Sequence, residues 1–265
     1  MNTGTRKQRE IAERHRLFLD LGREMIVDDG FGNFGMDRLA ERAEYSKGTV
    51  YQHFNCKEEL LIQLCIRNHR QLESLFARAR NVSGNPREKL LAIFLAHNLW
   101  TALDPAVMHM YQAFCGGEFK DKVTPASLED HDALERNIIG IVASIVIAAV
   151  DAGDLTLPAE MNPNELVFGL WATCHGGQIL QTMDLPLQEF GIRHPASVLL
   201  QISQATLDGM NWRPLSSDFD YNKTMQSLIA NEFAEECRQI ELSPTPTHWL
   251  PLESDDGSES DGPAV

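Results

Sequence analysis

Met36-Asp37-Arg38-Leu39-Ala40-Glu41-Arg42-Ala43-Glu44-Tyr45-Ser46-Lys47-Gly48-Thr49-Val50-Tyr51-Gln52-His53-Phe54 reads as two short helices joined by a tight turn, and Lys57-Glu58-Glu59-Leu60 starts a longer helix directly after it. Met36, Leu39, Ala40 and Ala43 fall at i, i+3, i+4 and i+7, one buried stripe on the first helix. Val50 and Phe54 lie one turn apart on the second and can pack on that stripe. Lys47, Thr49, Gln52 and His53 are then left facing outward, with Tyr51 at the edge. Such a face offers hydrogen-bonding groups for base edges and phosphates and carries no acid to repel them. The expectation is a helix-turn-helix with its recognition helix over 47–54.

The run Ser46-Lys47-Gly48-Thr49-Val50-Tyr51-Gln52-His53-Phe54, followed by Lys57-Glu58-Glu59-Leu60, resembles the DNA-binding signature of the TetR/AcrR family of transcriptional regulators. Gly30-Phe31 matches the end of that family's first helix, and the resemblance covers residues 10–65. It implies DNA contacts at Gly35, Met36, Ser46 and Gly48 beside the outward side chains already named, with Tyr51 and Lys57 on phosphates. It also implies a C-terminal helical bundle that encloses a ligand pocket and pairs with a second copy through its last two long helices. Three positions depart from the family pattern. Gly35 stands where Ser or Thr usually caps the second helix, Glu44-Tyr45 replaces Gly-Val in the turn, and Cys56 replaces the usual cap of the fourth helix. Asn55 and Glu59 are the residues available to compensate at that last cap.

The net charge of −15 looks wrong for a DNA-binding protein until it is divided along the chain. Residues 1–57 hold ten Lys or Arg against nine Asp or Glu, whereas the remaining 208 residues hold thirteen against twenty-nine. Phosphate attraction acts within about a Debye length, ~8 Å at physiological salt, so the local balance decides binding. Arg6, Lys7, Arg9, Arg14 and Arg16 cluster at the amino end, either as a backbone-contacting arm or as a solvated helix face. Five scattered cysteines without C-x-x-C spacing point to free thiols and a reducing cytoplasm. The most apolar run, 138–150, is shorter than the ~20 residues of a membrane span, so no membrane partner is expected.

Period-two alternation is absent and the chain reads as all-α. Helices are expected over 6–28, 57–80, 86–103, 106–115, 125–152, 163–183 and 195–211, with Gly and Pro as punctuation and residues 1–5 disordered. One more helix over 219–240 would carry Leu228, Ile229, Phe233 and Ile240. The expected organisation is a DNA-binding domain over 1–63, a ligand-binding and dimerisation domain over 64–240, and a disordered acidic tail over 241–265.

Pocket candidates are Trp100, Met108, Met110, Tyr111, Phe114 and Phe119, with His97, His109 and His131 as polar groups. Core packing is the commoner fate of such Met and aromatic clusters. In 169–178, small residues permit close helix approach; Trp171 reads as core first and pocket second, and His175 is balanced between the two. The composition favours a small, largely apolar effector with one polar handle. A metal or haem sensor built from His97, His109, Cys115, His131 and His175 lacks ligand spacing, so neither metal nor cofactor is expected. There is no G-x-S-x-G, phosphate loop or dinucleotide fingerprint, so no enzyme is expected. The expected function is a ligand-responsive repressor that binds a palindromic double-stranded DNA operator as a homodimer. The alternatives are a ligand-independent DNA binder and an enzyme with an accessory helix-turn-helix.

Overall fold

The computed structural model describes residues 3–115, 121–183 and 185–241, with side chains from Arg6 onward apart from that of Cys115. Phe119, Gly116-Gly117, the Cys115 side chain and the acidic segment over 242–265 lie outside the described residues. Every regular element among the described residues is helical. The α-helices are α1 (Thr3–Asp29), α2 (Met36–Arg42), α3 (Lys47–Tyr51), α4 (Lys57–Asn81), α5 (Pro86–Leu103), α6 (Ala106–Cys115), α7 (Pro125–Asp151), α8 (Pro163–Thr182), α9 (Pro195–Gly209), α10 (Tyr221–Ser227) and α11 (Ala234–Glu241), with a single 3-10 turn at Phe31–Asn33 and a wider turn at Leu228–Glu232.

The helix starts follow from capping. Asn85 and Asn162 each build a reciprocal box with the Glu three residues on, and each is followed by a Pro at the first helical position. Thr124 caps α7 through Ser127 N–H, again with Pro next. Helix α1 begins at Thr3, three residues before the expected start, and ends where Gly30 turns the chain at φ 77. Phe18, Leu19, Met25 and Ile26 bury the inner face of α1. Ile11, two turns before Phe18 on the same helix, is 41 % exposed.

Helix α4 is the spine of the molecule and packs along both α5 and α7. Its first turns, Leu60, Leu61 and Leu64, close the core of the small domain with Phe18, Leu39, Val50 and Phe54. Its later turns, Leu72, Leu75 and Phe76, belong to the bundle. These side chains belong to one continuous apolar core, so α4 joins the small domain to the bundle, and α6 turns away from α5 at 94°. By length and composition α7 matches a membrane span, which the reading of 138–150 as too short missed. It packs as a core helix against α4, α5 and α8, with Val146 and Ala149 fully buried.

The C-terminal segment differs from the single helix expected over 219–240. It breaks into α10 and α11 around a wide turn at Leu228–Glu232, closed by Phe233 N–H to Leu228 O at 2.9 Å. Phe233 is wholly buried, with the Arg78 guanidinium 4.9 Å above its ring. Arg78 also takes the Glu232 carbonyl as an acceptor and pairs with Glu236, so that carbonyl leaves the helical ladder. Arg87, with no exposed surface, fastens the same region. It donates to Trp212 O at 2.7 Å, pairs with Asp208 at 2.7 Å and lies 4.8 Å over the Tyr221 ring.

Candidate DNA-reading surface and effector cavity

Ser46 starts α3: its Oγ accepts Thr49 N–H at 3.1 Å and lies 2.8 Å from Thr49 Oγ1. The helix proper ends at Tyr51, short of the expected 54, and turn bonds from Gln52, His53 and Phe54 carry the backbone on. Lys47, Gly48, Tyr51 and Gln52 are exposed on one side, with Thr49 half-buried beside them. The turn before α3 forms without glycine. Glu44 takes φ 58, in the left-handed region, and Tyr45 N–H closes onto Ala40 O at 3.0 Å. Tyr45 then stands edge-on to Phe18 at 5.4 Å.

Three expected DNA contacts sit differently. Met36 is 6 % exposed, because the first residue of α2 opens the buried stripe; only its backbone N–H is left for a phosphate. His53 turns away from the open face and packs edge-on to Phe18 at 5.2 Å, with His15 5.6 Å away. Burial, with Arg14 nearby, lowers its pKa, so it is a neutral packing ring. Lys47 is exposed but paired with Asp37 of α2 at 2.6 Å, so an acid does stand beside the reading face. That hydrogen bond raises the Lys47 pKa. Gly35 caps α2 with backbone alone, as its missing side chain requires, and Lys57 lies 4.8 Å over the Phe31 ring.

Two sets of polar contacts tie this domain to the bundle. Arg23 of α1 forms a two-pronged pair with Asp104, at the start of α6. The Asp104 carboxylate also accepts Ala106 N–H, and the hydrogen bond to it raises the Arg23 pKa. At the other contact Cys56 caps α4 with no side-chain bond, and its thiol donates to Lys122 O at 3.2 Å. Glu59 does not complete a cap on its own helix. Its carboxylate accepts Thr124 N–H at 2.8 Å, Thr124 Oγ1–H at 3.2 Å and the Ser127 hydroxyl, and so caps α7 instead. The geometry leaves Glu59 only 6 % exposed.

A cavity of about 480 Å³ opens between α4, α5, α7, α8 and α9. Trp100, Tyr111, Trp171 and His175 line it. Trp171 is not core: at 42 % exposure it stands with Phe168 and Ile139 where the cavity meets the surface. Met108 and Phe114 do not line the cavity. Met108 is 2 % exposed within the core, and Phe114 packs 4.8 Å from His131. Most of the wall comes from residues read as plain core stripe in the sequence, such as Leu72, Phe76, Phe94 and Val142. No signal in one helix distinguishes a stripe facing a partner from a stripe facing a void.

The polar groups of the wall are few. His69 Nδ1, His97 Nδ1, His175 Nε2 and Ser203 Oγ are buried without a hydrogen-bond partner among the described residues. Leaving such a group unpaired costs about 1–3 kcal/mol, a cost tolerated where a ligand supplies the partner. Burial, reinforced by His131 and His175, holds the His69 pKa at about 4. Burial and then His175 hold His97 at about 4 as well. Behind His69 lie His131 and Glu135, whose donor atoms with those of His69 all fall within 4.8 Å of one another. His69 was absent from the sequence-based candidates, because a single His on a long amphipathic helix carries no spacing signal.

Residues 18–64 match the family model described as bacterial regulatory proteins, tetR family. The HTH-type transcriptional activator FasR of Mycolicibacterium smegmatis is 36 % identical over 80 residues, 30 % of this chain and 36 % of that protein's length. The match therefore spans about a third of that relative. A bacterial regulatory protein of the tetR family from Rhodococcus RHA1 superposes with a TM-score of 0.59 at 15 % identity, over 75 % of this chain and 97 % of that one. FadR from Bacillus subtilis, solved in complex with stearoyl-CoA, superposes with a TM-score of 0.55 at 16 % identity, over 73 % and 95 %. At these identities the structures speak to fold, and the helix-turn-helix match speaks to family. With both in agreement, residues 18–64 carry the helix-turn-helix of the tetR family, in a chain whose fold is similar to that of solved tetR-family regulators.

Proposed function

We propose that the protein is a ligand-responsive regulator, acting in the cytoplasm, that binds a two-fold symmetric operator as a homodimer and changes its DNA affinity when a largely apolar effector fills the cavity. The observation that carries this reading is the double role of α4. His69, Leu72 and Phe76 line the cavity, and Glu59 at the other end of the same helix ties the helix-turn-helix to α7. A ligand that spreads α4 from α7 turns the recognition segments of the two copies relative to one another. Half-sites lie about one DNA turn (~34 Å) apart, so a small rotation loses one of them.

Support for a dimer comes from the outer faces of α8 and α9. Phe168, Leu180, Val198 and Ile202 are each about half or more exposed, an apolar surface of the kind that a subunit interface covers. Gly177, by contrast, faces inward: a Cβ there would lie 2.4 Å from Leu199, so it serves α8–α9 packing within one chain. Ile202→Glu is expected to give folded monomers that bind operator poorly, and sedimentation of an intact dimer would move the interface elsewhere.

The cavity wall favours a fatty acyl chain or similar group with one polar end, the class of ligand held by the stearoyl-CoA-bound fold relative. Operator selected from random DNA, then titrated with fatty acids and acyl-CoAs of graded length, tests this. Loss of binding by one length class is expected. Repression by occupancy is the reading offered. FasR, described as an activator, favours activation as a second reading, and a reporter fusion to the selected operator separates the two.

A further inference from the structure

We propose that His69, His131 and Glu135 form a binding site for a divalent transition-metal ion that joins α4 to α7 beside the effector cavity. The three donor atoms lie within 4.8 Å of one another, and they come from two helices. His131 and Glu135 are one turn apart on α7, with His131 Nε2 3.9 Å from Glu135 Oε1. His69 approaches from α4, its ring centroid 4.9 Å from that of His131 at 64°.

The second observation is the state of the two imidazoles. His69 is 6 % and His131 is 2 % exposed. His131 has neither nitrogen hydrogen-bonded among the described residues, and His69 lacks a partner at Nδ1. Buried histidines usually give one N–H to a carbonyl or carboxylate, so a wholly unpartnered ring and a second ring with an unpartnered nitrogen, converging with a carboxylate, describe a ligand set. Asp132 Oδ1 stands 3.6 Å from His131 Nδ1. That is beyond hydrogen-bond range, but a small ring rotation brings the two together and fixes Nε2 as the donor, the usual outer-shell arrangement.

The donor set, two imidazoles and one carboxylate, suits zinc, cobalt or nickel; calcium and magnesium prefer all-oxygen sites. Around a tetrahedral ion with bonds of about 2.1 Å the donors sit about 3.4 Å apart, so the site closes by about 1 Å on binding. Glu135 is half-buried and supplies most of that adjustment. Three protein ligands leave one position open. His69 and Glu135 also line the cavity, so that position faces the effector space. Metal binding itself stands apart from the proposed function, while any effect of the metal on DNA rests on it.

The test uses untagged full-length protein, stripped with chelator and titrated with Co²⁺. A visible band of low-coordinate cobalt is expected, saturating at one ion per chain and bleached by Zn²⁺. His131→Leu and His69→Leu should each weaken binding by more than the roughly 10–100-fold that loss of an outer-shell partner costs. Glu135→Gln, at a half-buried position, keeps the fold and must also weaken it. Absence of the band in the parent protein, or unchanged binding in Glu135→Gln, overturns the site. If the variants lose cobalt while operator affinity ignores metal and acyl ligands alike, the metal site stands and the regulatory reading fails.

Discussion

The carboxylate of Glu59, in the first turn of α4, caps α7 by accepting Thr124 N–H at 2.8 Å. The two residues are 65 positions apart, and the bond sits where the DNA-reading domain meets the bundle. The cavity is walled by the same two helices further along. Any ligand that separates α4 from α7 must therefore strain or re-aim this contact.

Removing that carboxylate should act on both stability and coupling. Glu59→Ala leaves Thr124 N–H and the Ser127 hydroxyl without their charged acceptor, at about 1.5–3 kcal/mol. Thr124→Val removes the hydroxyl contact to Glu59 together with the Oγ cap on Ser127 N–H, and because both residues share this network the double variant should show strong non-additivity in urea unfolding. Operator affinity of Glu59→Ala should respond less to effector than that of the parent. Simple additivity with an unchanged response would reduce the contact to an ordinary cap.

The Lys47–Asp37 pair makes a prediction about DNA. Asp37→Asn frees the ammonium group and removes a negative charge from the reading face. Binding to random-sequence DNA should tighten at low salt, with a steeper dependence on salt. Lys47→Ala should do the reverse, flattening the slope by about one unit. Gel shifts at two salt concentrations decide it, and parallel lines for all three proteins would show that Lys47 does not meet phosphate.

Glu44 holds a left-handed conformation that costs a non-glycine residue about 1–2 kcal/mol. Glycine there relieves the strain but loses roughly 0.5–1 kcal/mol to the greater freedom of its unfolded chain. Glu44→Gly is therefore expected to stabilise the protein by about 0.5–1 kcal/mol, whereas Glu44→Val should destabilise it. A Gly variant less stable than the parent in chemical denaturation would mean that the Glu44 side chain makes a contact of its own.

His97 gives the pH dependence. Its folded pKa is about 4 because burial, and then His175, oppose its charge, while the unfolded side chain titrates near 6.5. The unfolded chain takes up the proton first, so stability falls as pH drops from about 6.5 towards 4 and is full above 7. The share of His97 is on the order of 3 kcal/mol across that window. Thermal melts in chelator should show the decline for the parent and a shallower one for His97→Leu. Equal slopes would place the titrating group elsewhere.

The sequence by itself determined the helices and the DNA-binding motif. Caps, prolines and glycines are local signals, so the starts at Pro86, Pro125, Pro163 and Pro195 were legible in it, as was the buried stripe of Leu39, Val50 and Phe54. Tertiary structure decided what each helical face meets. His53 turns inward because Phe18 and His15 of α1 offer it a packing surface, and Met36 is buried because its stripe is. Trp171 reaches the cavity mouth while Met108 fills core, though both are large apolar residues on helices. The convergence of His69 with His131 and Glu135, and of Glu59 with Thr124, joins residues more than sixty positions apart. Helical periodicity fixes which residues share a face within one helix, and only the packing of helices against each other fixes which faces meet.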